Sequence, residues 1–269
     1  MRILFLGDVT GPIGIAAIRK SLPLLRERLL PDFAVVNGEN ASNGRGITRA
    51  DYLSLKHAGA DVITLGNHYR DKKQIDSFIG EYPDLLRPAN LACYDKGRGY
   101  GVFEANGKKL GVVSMMGPAF LNEELNSQYD CMEEILSSGA MPKSVFVDFH
   151  GESTSEKELF LHCFASRVSA IIGTHTHVQT HDATIYKGTA FMADAGMCGE
   201  HNSIIGVSVE SAMNKIVRQL GNPFCCNKEG AMIVEGCLID VDEENGRAQS
   251  IKYIRLIDGE EWKDEPLHY

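Results

Sequence analysis

Short apolar runs alternate with amphipathic segments along the first part of this chain, and this alternation constrains the fold more than any other feature. The runs 2–6 and 33–37 have the length and composition of buried strands. The segments 14–30 and 49–59 carry apolar residues at helical spacing, and Pro23 is expected to interrupt or kink the first of these helices. Strands that alternate with helices are typical of layered α/β folds.

Hairpin signals accumulate later in the chain. Asn106-Gly107 reads as a hairpin turn, two strands are predicted to pair around Asn245-Gly246, and 184–194 reads as a further hairpin. Additional strands are predicted at 143–150 and 168–173. Additional helices are predicted at about 71–79, 155–167 and 208–221. Because no repeat or low-complexity linker interrupts the pattern, we predict one α/β domain with mixed sheets over residues 1–269.

Charge and cysteine usage narrow the class of protein. The net charge of -9 over 269 residues argues against an extended nucleic-acid-binding surface, although a local metal site could still attract a small phosphorylated ligand. No apolar run has the length of a signal peptide core or a membrane span, so we expect a cytoplasmic protein without a membrane partner. Seven cysteines, two of them adjacent at Cys225 and Cys226, indicate reduced and mostly buried thiols.

Polar residues that can bind metal recur directly after predicted strands. They are Asp8, Glu39, Asn40, Asn67, His68, His150, His175 and His177. In open α/β sheets, sites form at the carboxyl ends of the strands, so five strand ends would converge on one crevice. His175 and His177 are one residue apart in "GTHTHVQTH", and in an extended segment their side chains would point to the same side.

Each of these residues has an ordinary interpretation when it is taken alone. Asp8 could cap a helix, "NGEN" and "GNH" could be turns, and His150 could be a core histidine. We assign His181 and His201 to that ordinary class. Because all eight residues follow predicted strands, their joint occurrence favours one shared metal site over eight separate structural roles.

The donor types indicate which ions would bind. Carboxylates, amides and imidazoles without thiolate suit Mn²⁺, Fe or Zn²⁺ better than Ca²⁺. The set is too large for one tetrahedral ion and about right for two, with a carboxylate as the bridge. Two neighbouring ions form the clamp used for in-line displacement at phosphorus.

At this point the sequence resembles a known family. "GDVTG", "VVNGENASNGRGI", "TLGNH", "DFHGE", "GTHTHVQT" and "ADAGMCG" resemble motifs of the calcineurin-like metallophosphoesterases, and more closely those of the bacterial YmdB-like branch. The superfamily usually has His two residues after the first Asp. Here that position is Thr10, as in the branch, and "GEN" replaces the second "GD" motif.

The resemblance implies a four-layer αββα sandwich of the metallophosphoesterase type with two metal ions, iron or manganese. It implies homo-oligomers and activity on phosphodiesters, including 2′,3′-cyclic nucleotides. It implies that one ion is held by Asp8, Glu39, Asn40 and His177, and the other by Glu39, Asn67, His150 and His175, with Glu39 bridging. His68 would be the general acid. The branch commonly continues "GNH" with Thr-Trp-Asp, whereas this chain has Tyr69, Arg70 and Asp71, which we expect to border the substrate pocket.

The predicted reaction is hydrolysis of a small phosphodiester or nucleotide. Hydroxide held by the metals would attack phosphorus, and His68 would protonate the leaving alkoxide. Arg45 or Arg70 could contact phosphate, although a solvated surface arginine is the ordinary interpretation of each. Cys198 is interpreted as a packed residue and not as a nucleophile. Two alternatives stay open: a regulatory metal- and nucleotide-binding protein with slow turnover, and a metal-dependent amide hydrolase.

Overall fold

Two mixed β-sheets face each other across a buried apolar core in the computed structural model, which describes residues 1–261. The last eight residues of the expected domain, 262–269, lie outside the described part. The nine strands of the first sheet are β1 (Arg2–Leu6), β2 (Asp8–Val9), β3 (Phe33–Asn37), β4 (Val62–Thr64), β5 (Leu85–Leu86), β12 (Met197–Glu200), β13 (Met232–Val241), β14 (Ala248–Ile257) and β15 (Glu260–Glu261). The six strands of the second sheet are β6 (Tyr100–Ala105), β7 (Lys108–Met116), β8 (Val145–His150), β9 (Ala170–Thr174), β10 (Thr184–Tyr186) and β11 (Thr189–Met192).

The centre of each sheet is parallel. The first sheet has the order β15-β14-β13-β1-β3-β4-β5, with β1, β3, β4 and β5 parallel and β13 antiparallel to β1. The short β12 pairs with β13 and with β2. The second sheet has the order β10-β11-β9-β8-β7-β6, and β7, β8, β9 and β11 are parallel. The parallel strands in each sheet therefore end at a common edge.

Alternating residues of β1 separate two layers of core. Leu4 and Leu6 belong to the apolar cluster that packs beneath the helices at 11–29 and 49–57, whereas Ile3 and Phe5 face the second sheet. The ring of Phe5 lies 5.0 Å from that of Phe146 on β8. The helices are α1 (Gly11–Leu29), α2 (Arg49–His57), α3 (Gln128–Ser137), α4 (Thr154–Phe164) and α5 (Val209–Ala212). A third cluster joins the second sheet to α3 and α4. This arrangement confirms the predicted α/β sandwich with two mixed sheets.

The predicted hairpin turn at Asn106-Gly107 is confirmed, and α2 begins with a favourable cap. Thr48 and Asp51 form a reciprocal capping box at the start of α2. Asn106 and Gly107 both have positive φ, 53° and 75°, as a tight hairpin between β6 and β7 requires.

Three helix predictions need correction. The interruption expected at Pro23 does not occur: α1 continues to Leu29, with Ile18 and Leu22 on its buried face and Pro23 on its exposed side. The segment predicted as a helix over 71–79 forms short 3₁₀ turns at Lys73–Ser77 and Ile79–Glu81.

The predicted last helix, 208–221, is the third. It has only the four-residue α5, followed by a π-helical turn at Met213–Val217. Its apolar side chains beyond Ala212 are largely exposed, so little tertiary packing supports a longer helix. The helix α3 was not predicted, although Ser127 caps it.

The cysteines follow the prediction in their oxidation state but not in their burial. All seven are free thiols. Only Cys198 and Cys237 are buried, two others are partly buried and three are exposed, so the expectation of mostly buried thiols is wrong. No helix within residues 1–261 combines the length and apolar character needed to cross a membrane.

Candidate metal centre

The eight predicted side chains meet at the edge where parallel strands of both sheets end. β3 and β4 lead into loops that carry Glu39, Asn40, Asn67 and His68. From the second sheet, His150 ends β8, and the loop after β9 carries the remaining two histidines. Asp8 begins β2, next to β12. The predicted convergence of five strand ends is thus what the structure shows.

One group of donor atoms is centred on His150. Its Nε2 lies 3.2 Å from Glu39 Oε1, 2.8 Å from Asn67 Oδ1 and 3.1 Å from His175 Nδ1. Asn67 Oδ1 is also 3.2 Å from His175 Nδ1. Ligand atoms of Glu39, His150 and His175 all lie within 4.8 Å of one another. Four side chains therefore aim one N or O atom each at a common point.

A second group adjoins the first through Glu39. The Nδ2 atom of Asn40 lies 3.0 Å from Glu39 Oε1, 3.3 Å from Asp8 Oδ1 and 3.0 Å from His177 Nε2. Asp8 Oδ1 and His177 Nε2 are 3.7 Å apart. The Glu39 carboxylate contacts side chains of both groups, and the backbone N–H of His175 also donates to Asp8 Oδ2 at 3.1 Å.

Burial and mutual charge shift the protonation of these groups. Burial raises the pKa of Asp8 to about 6, although His177 and His150 oppose the rise. Burial would also raise the pKa of Glu39, but the charge and hydrogen bond of His150 lower it to about 2. Burial and the neighbouring His150 charge lower the pKa of His175 to about 3, so its imidazole is neutral with a free lone pair.

An unpartnered oxygen tests whether these residues suit a metal. Asn40 Oδ1 is buried and has no hydrogen-bond partner among the described residues. Reversing the amide would turn this oxygen toward the oxygens of Asp8 and Glu39, which only a cation between them would make favourable. The oxygen and nitrogen donors, without thiolate, also match Fe, Mn²⁺ or Zn²⁺. The residues present therefore fit metal binding.

The second ring nitrogen of each of the three imidazoles has its own partner. Nδ1 of His150 lies 2.9 Å from the Thr174 hydroxyl, and Nδ1 of His177 lies 2.8 Å from the Ile205 carbonyl oxygen. Nε2 of His175 lies 3.1 Å from Glu152 Oε2. His150 and His177 thus present Nε2 to the centre, whereas His175 presents Nδ1. Such outer contacts fix the tautomer and orientation of metal-binding histidines.

The loop that carries His175 and His177 is not an extended continuation of β9. The strand ends at Thr174, and the two histidines have φ values of 109° and 64°. The expected alternation of an extended segment is therefore wrong, although both side chains still reach the site. Such backbone conformations persist only where the surroundings impose them.

A buried ion pair imposes this loop conformation. Lys157 Nζ, on α4, donates to the Thr174 carbonyl oxygen at 3.0 Å and lies 3.3 Å from Asp194 Oδ2. The same carboxylate oxygen accepts the backbone N–H of Thr176 at 2.9 Å. Lys157 and Asp194 are both about 1 % exposed, so the pair braces the histidine loop from within the core.

Gly66 leaves room for the centre. A Cβ atom at this position would lie 2.3 Å from the His150 ring and 2.4 Å from Glu39 Oε2. No side chain fits there, because neither group is free to move away from its other partners.

His68 lies beside the two groups. Its Nδ1 is 3.0 Å from Asp71 Oδ2, and its Nε2 is 3.4 Å from Asn67 Nδ2. Its backbone N–H donates to Glu39 Oε2 at 3.2 Å. Burial lowers the pKa of His68, and the Glu39 and Asp71 carboxylates oppose that shift. Asp71 thus holds one ring nitrogen while the other points toward the centre.

A cavity of about 500 Å³ opens over the centre. Arg45 and His68 line it, and Arg45 is ion-paired with Asp71 at 2.9 Å. Arg70 is bound by Asp76 outside this cavity, and Tyr69 is buried against Tyr94. The expectation that Tyr69 and Arg70 border the substrate pocket is therefore wrong, because the chain turns them toward the neighbouring core.

The remaining candidate residues lie apart from the centre. His181 is exposed and stacks on Tyr253, with ring centroids 5.1 Å apart, so it is not the core histidine that we expected. His201 is half-buried and likewise outside the groups of donors. Cys198 is fully buried, and burial raises the pKa of its thiol, which confirms its interpretation as a packed residue.

Three residues that support the donors were not predicted: Glu152, Thr174, and Asp148, which accepts a hydrogen bond from the Thr174 hydroxyl at 2.7 Å. Asp148 is two residues before His150 on β8, and strand periodicity alone places both side chains on one face. Glu152 lies within the quoted "DFHGE" motif. Thr174 immediately precedes His175, and no pattern in the sequence assigned a role to its hydroxyl.

Comparison with known proteins identifies one family and one relative that match nearly the whole chain. Residues 4–254 match the family model described as YmdB-like protein. The chain is 40 % identical over 260 residues to the 2′,3′-cyclic-nucleotide 2′-phosphodiesterase of Bacillus subtilis, covering 96 % of this chain and 98 % of that protein.

Two solved structures share the fold over nearly their full lengths. A novel phosphatase from Mycoplasma pneumoniae superposes with a TM-score of 0.89 at 32 % identity, covering 96 % of this chain and 93 % of that one. A hypothetical protein from Thermus thermophilus superposes with a TM-score of 0.87 at 34 % identity, covering 96 % and 99 %.

Proposed function

This chain belongs to the YmdB-like family of the calcineurin-like metallophosphoesterases, and from that membership we propose that it hydrolyses small phosphodiesters, 2′,3′-cyclic nucleotides among them, at a centre of two metal ions. It is a metal-dependent phosphoric ester hydrolase. The observation that carries the dinuclear proposal is the division of seven donor side chains into two groups that share Glu39.

We propose that each group holds one ion. Asp8, Asn40 and His177 would hold one ion and Asn67, His150 and His175 the other, and the Glu39 carboxylate would be shared by both. Fe or Mn is the expected metal, and Zn²⁺ also suits these donors. Two such ions, when bound, supply Lewis acidity that activates water near neutral pH and offsets charge on the phosphoryl oxygens.

The protein side chains supply proton transfer and orientation. His68 lies next to the centre and lines the cavity, which places its imidazole where a leaving oxygen would need a proton. The 3.0 Å contact from Asp71 to Nδ1 leaves Nε2 for that role. Arg45 lines the same cavity and offers a cation for a phosphate oxygen, although its partner Asp71 offsets part of its charge.

Further parts of the proposal concern the whole molecule. A single domain over residues 1–269 is supported by the core between the sheets, which draws on residues from Ile3 to Ala248. A homo-oligomer is supported by exposed apolar side chains at Ile216, Val217 and Leu220. A cytoplasmic location is supported by seven free thiols. The net charge of -9 argues against extended nucleic acid as a partner.

One assay series tests the function. Purified protein is stripped with a chelator, reloaded with Mn²⁺ or Fe²⁺, and assayed on 2′,3′-cyclic AMP, a phosphomonoester and an amide. We expect metal-dependent hydrolysis that is fastest on the cyclic diester. Two tightly bound metals without turnover of any ester would instead favour a binding protein, and turnover of the amide alone would favour an amidase.

A further inference from the structure

The cavity over the metal centre has two unlike walls. One is polar and includes four of the donors together with two basic side chains: Glu39, Asn40, His175, His177, His68 and Arg45. The other, which we call the apolar wall, comes from a single stretch of chain. It consists of Ile205, Val207, Phe224, Cys225 and Cys226. Ile205 is 51 % exposed and Phe224 is 46 % exposed, although both lie beside a cavity rather than on open surface.

Hydrogen bonds hold the apolar wall in place. The Ser208 backbone N–H donates to the Cys225 carbonyl oxygen at 2.9 Å, and the Cys225 N–H donates to Ser211 Oγ at 2.9 Å. Asn227 Nδ2 lies 2.9 Å from both carboxylate oxygens of Glu200. At its other end, the wall is tied to the centre by the contact between the Ile205 carbonyl and His177. The wall is therefore a fixed part of the site.

Phe224 offers an aromatic surface to the cavity. The Lys215 ammonium lies 4.1 Å from the centroid of its ring. That cation covers one face of the ring, and Lys215 is not among the residues that line the cavity, so we assign the opposite face to a ligand. An aromatic ring in this position binds planar groups by stacking, which is tolerant of the base that it meets.

The volume and the chemistry of the cavity indicate which kind of ligand it binds. A volume of about 500 Å³ falls within the range of small-molecule sites, roughly 300–1,000 Å³, and exceeds what a phosphate and a ribose need. The polar wall suits the phosphodiester. A simple alkyl diester would leave the apolar wall in contact with water, whereas a nucleobase would cover it.

We infer that the apolar wall is a nucleobase subsite, with the Phe224 ring as its stacking platform; the inference rests on the proposed phosphodiesterase function. The five side chains of the wall carry no amide, carboxylate or cation to read the edge of a base. The subsite is therefore expected to bind substrates that carry a base more tightly than substrates without one. It is expected to favour purines, which have a larger stacking area, and to discriminate little between adenine and guanine.

The test compares substrates with and without a base. The metal-loaded enzyme is assayed on 2′,3′-cyclic AMP and on methyl riboside 2,3-cyclic phosphate, which lacks the base. Phe224→Ala is expected to raise KM for 2′,3′-cyclic AMP about tenfold with little change in kcat, and to leave the baseless substrate unaffected. Phe224→Trp is expected to restore the wild-type KM.

A matched control uses an exposed apolar residue on the same stretch. Met213 is 41 % exposed and does not line the cavity, so Met213→Ala is expected to leave the kinetics on both substrates unchanged. If wild-type enzyme cleaves both substrates with equal KM, the nucleobase subsite is refuted while the phosphodiesterase function stands. Equal losses on both substrates in Phe224→Ala would also refute it, because they indicate a general ordering role.

Direct binding separates this inference from the proposed function. Calorimetry on wild-type protein and Phe224→Ala uses 3′-AMP and ribose 3-phosphate as probes. Tighter binding of 3′-AMP that is lost in Phe224→Ala would support the subsite even if no cyclic phosphate were hydrolysed, in which case only the proposed reaction fails. Equal binding of the two probes would overturn the subsite.

Discussion

The Thr174 hydroxyl lies 2.9 Å from Nδ1 of His150 and donates to Asp148 Oδ1 at 2.7 Å. Because the hydroxyl hydrogen is used on Asp148, the hydroxyl oxygen must accept a hydrogen from His150 Nδ1. Without a metal, Nε2–H donates to the Glu39 carboxylate, whose charge raises the pKa of His150 to about 9; a metal that replaced this proton would take the Nε2 lone pair. A threonine outside the donor set therefore determines which nitrogen of His150 is available to a metal.

Thr174→Val, which keeps the shape but removes the hydroxyl, is expected to weaken metal binding about 10–100-fold. Thr174→Ser is expected to retain most of the affinity, because it keeps the hydroxyl. Calorimetric titration of the chelator-treated proteins with Mn²⁺ measures this difference. Equal affinity in the valine and serine variants, with both folded, would contradict the role of the hydroxyl.

Glu39→Gln is expected to reduce the occupancy of both metal sites, because Glu39 contacts both groups of donors. His177→Ala is expected to deplete mainly one site, since it contacts only the group with Asp8 and Asn40. Metal analysis of the purified, folded proteins gives the stoichiometries. About two ions per chain in Glu39→Gln would argue strongly against bridging.

Gly66→Ala is expected to abolish metal binding, because the added Cβ would lie 2.3 Å from the His150 ring. Gly80→Ala is the matched control, since a Cβ at that exposed position meets nothing within 4 Å. Metal content and circular dichroism are measured on both variants. Full metal occupancy in folded Gly66→Ala would show that the centre tolerates the displacement.

His68→Ala is expected to keep its metals but to lose activity on 2′,3′-cyclic nucleotides far more than on bis(nitrophenyl) phosphate. A ribose alkoxide is a poor leaving group that needs a proton, and general acid catalysis is typically worth about 10²–10⁴-fold. Nitrophenolate leaves without that help. Equal losses on both substrates at full metal occupancy would exclude His68 as the proton donor.

Cys198→Ser is expected to retain most of the activity. The thiol is fully buried in the core, its pKa is raised by that burial, and its Sγ lies 3.5 Å from the Glu235 carbonyl oxygen, a contact that a serine hydroxyl can keep. Steady-state rates and metal content are the measurements. Loss of turnover with metals and fold intact would reinstate a thiol nucleophile.

The sequence determined the layered fold and the identity of the donors. Strand and helix periods are local properties, and the residues after each strand were visible as carboxylates, amides and imidazoles. Because parallel strands end at a common edge, the meeting of Asp8, Glu39, His150 and His175 followed from their positions along the chain.

Tertiary structure decided how those donors are held and what the site can accept. The tautomers of His150 and His175 depend on Thr174 and Glu152, contacts that no local pattern specifies. Packing between distant segments turns Tyr69 and Arg70 away from the cavity. The same kind of packing brings Phe224, about 150 residues later in the chain, to the cavity wall. Local propensity cannot encode such contacts, because their energies arise only when the remote partners are already in place.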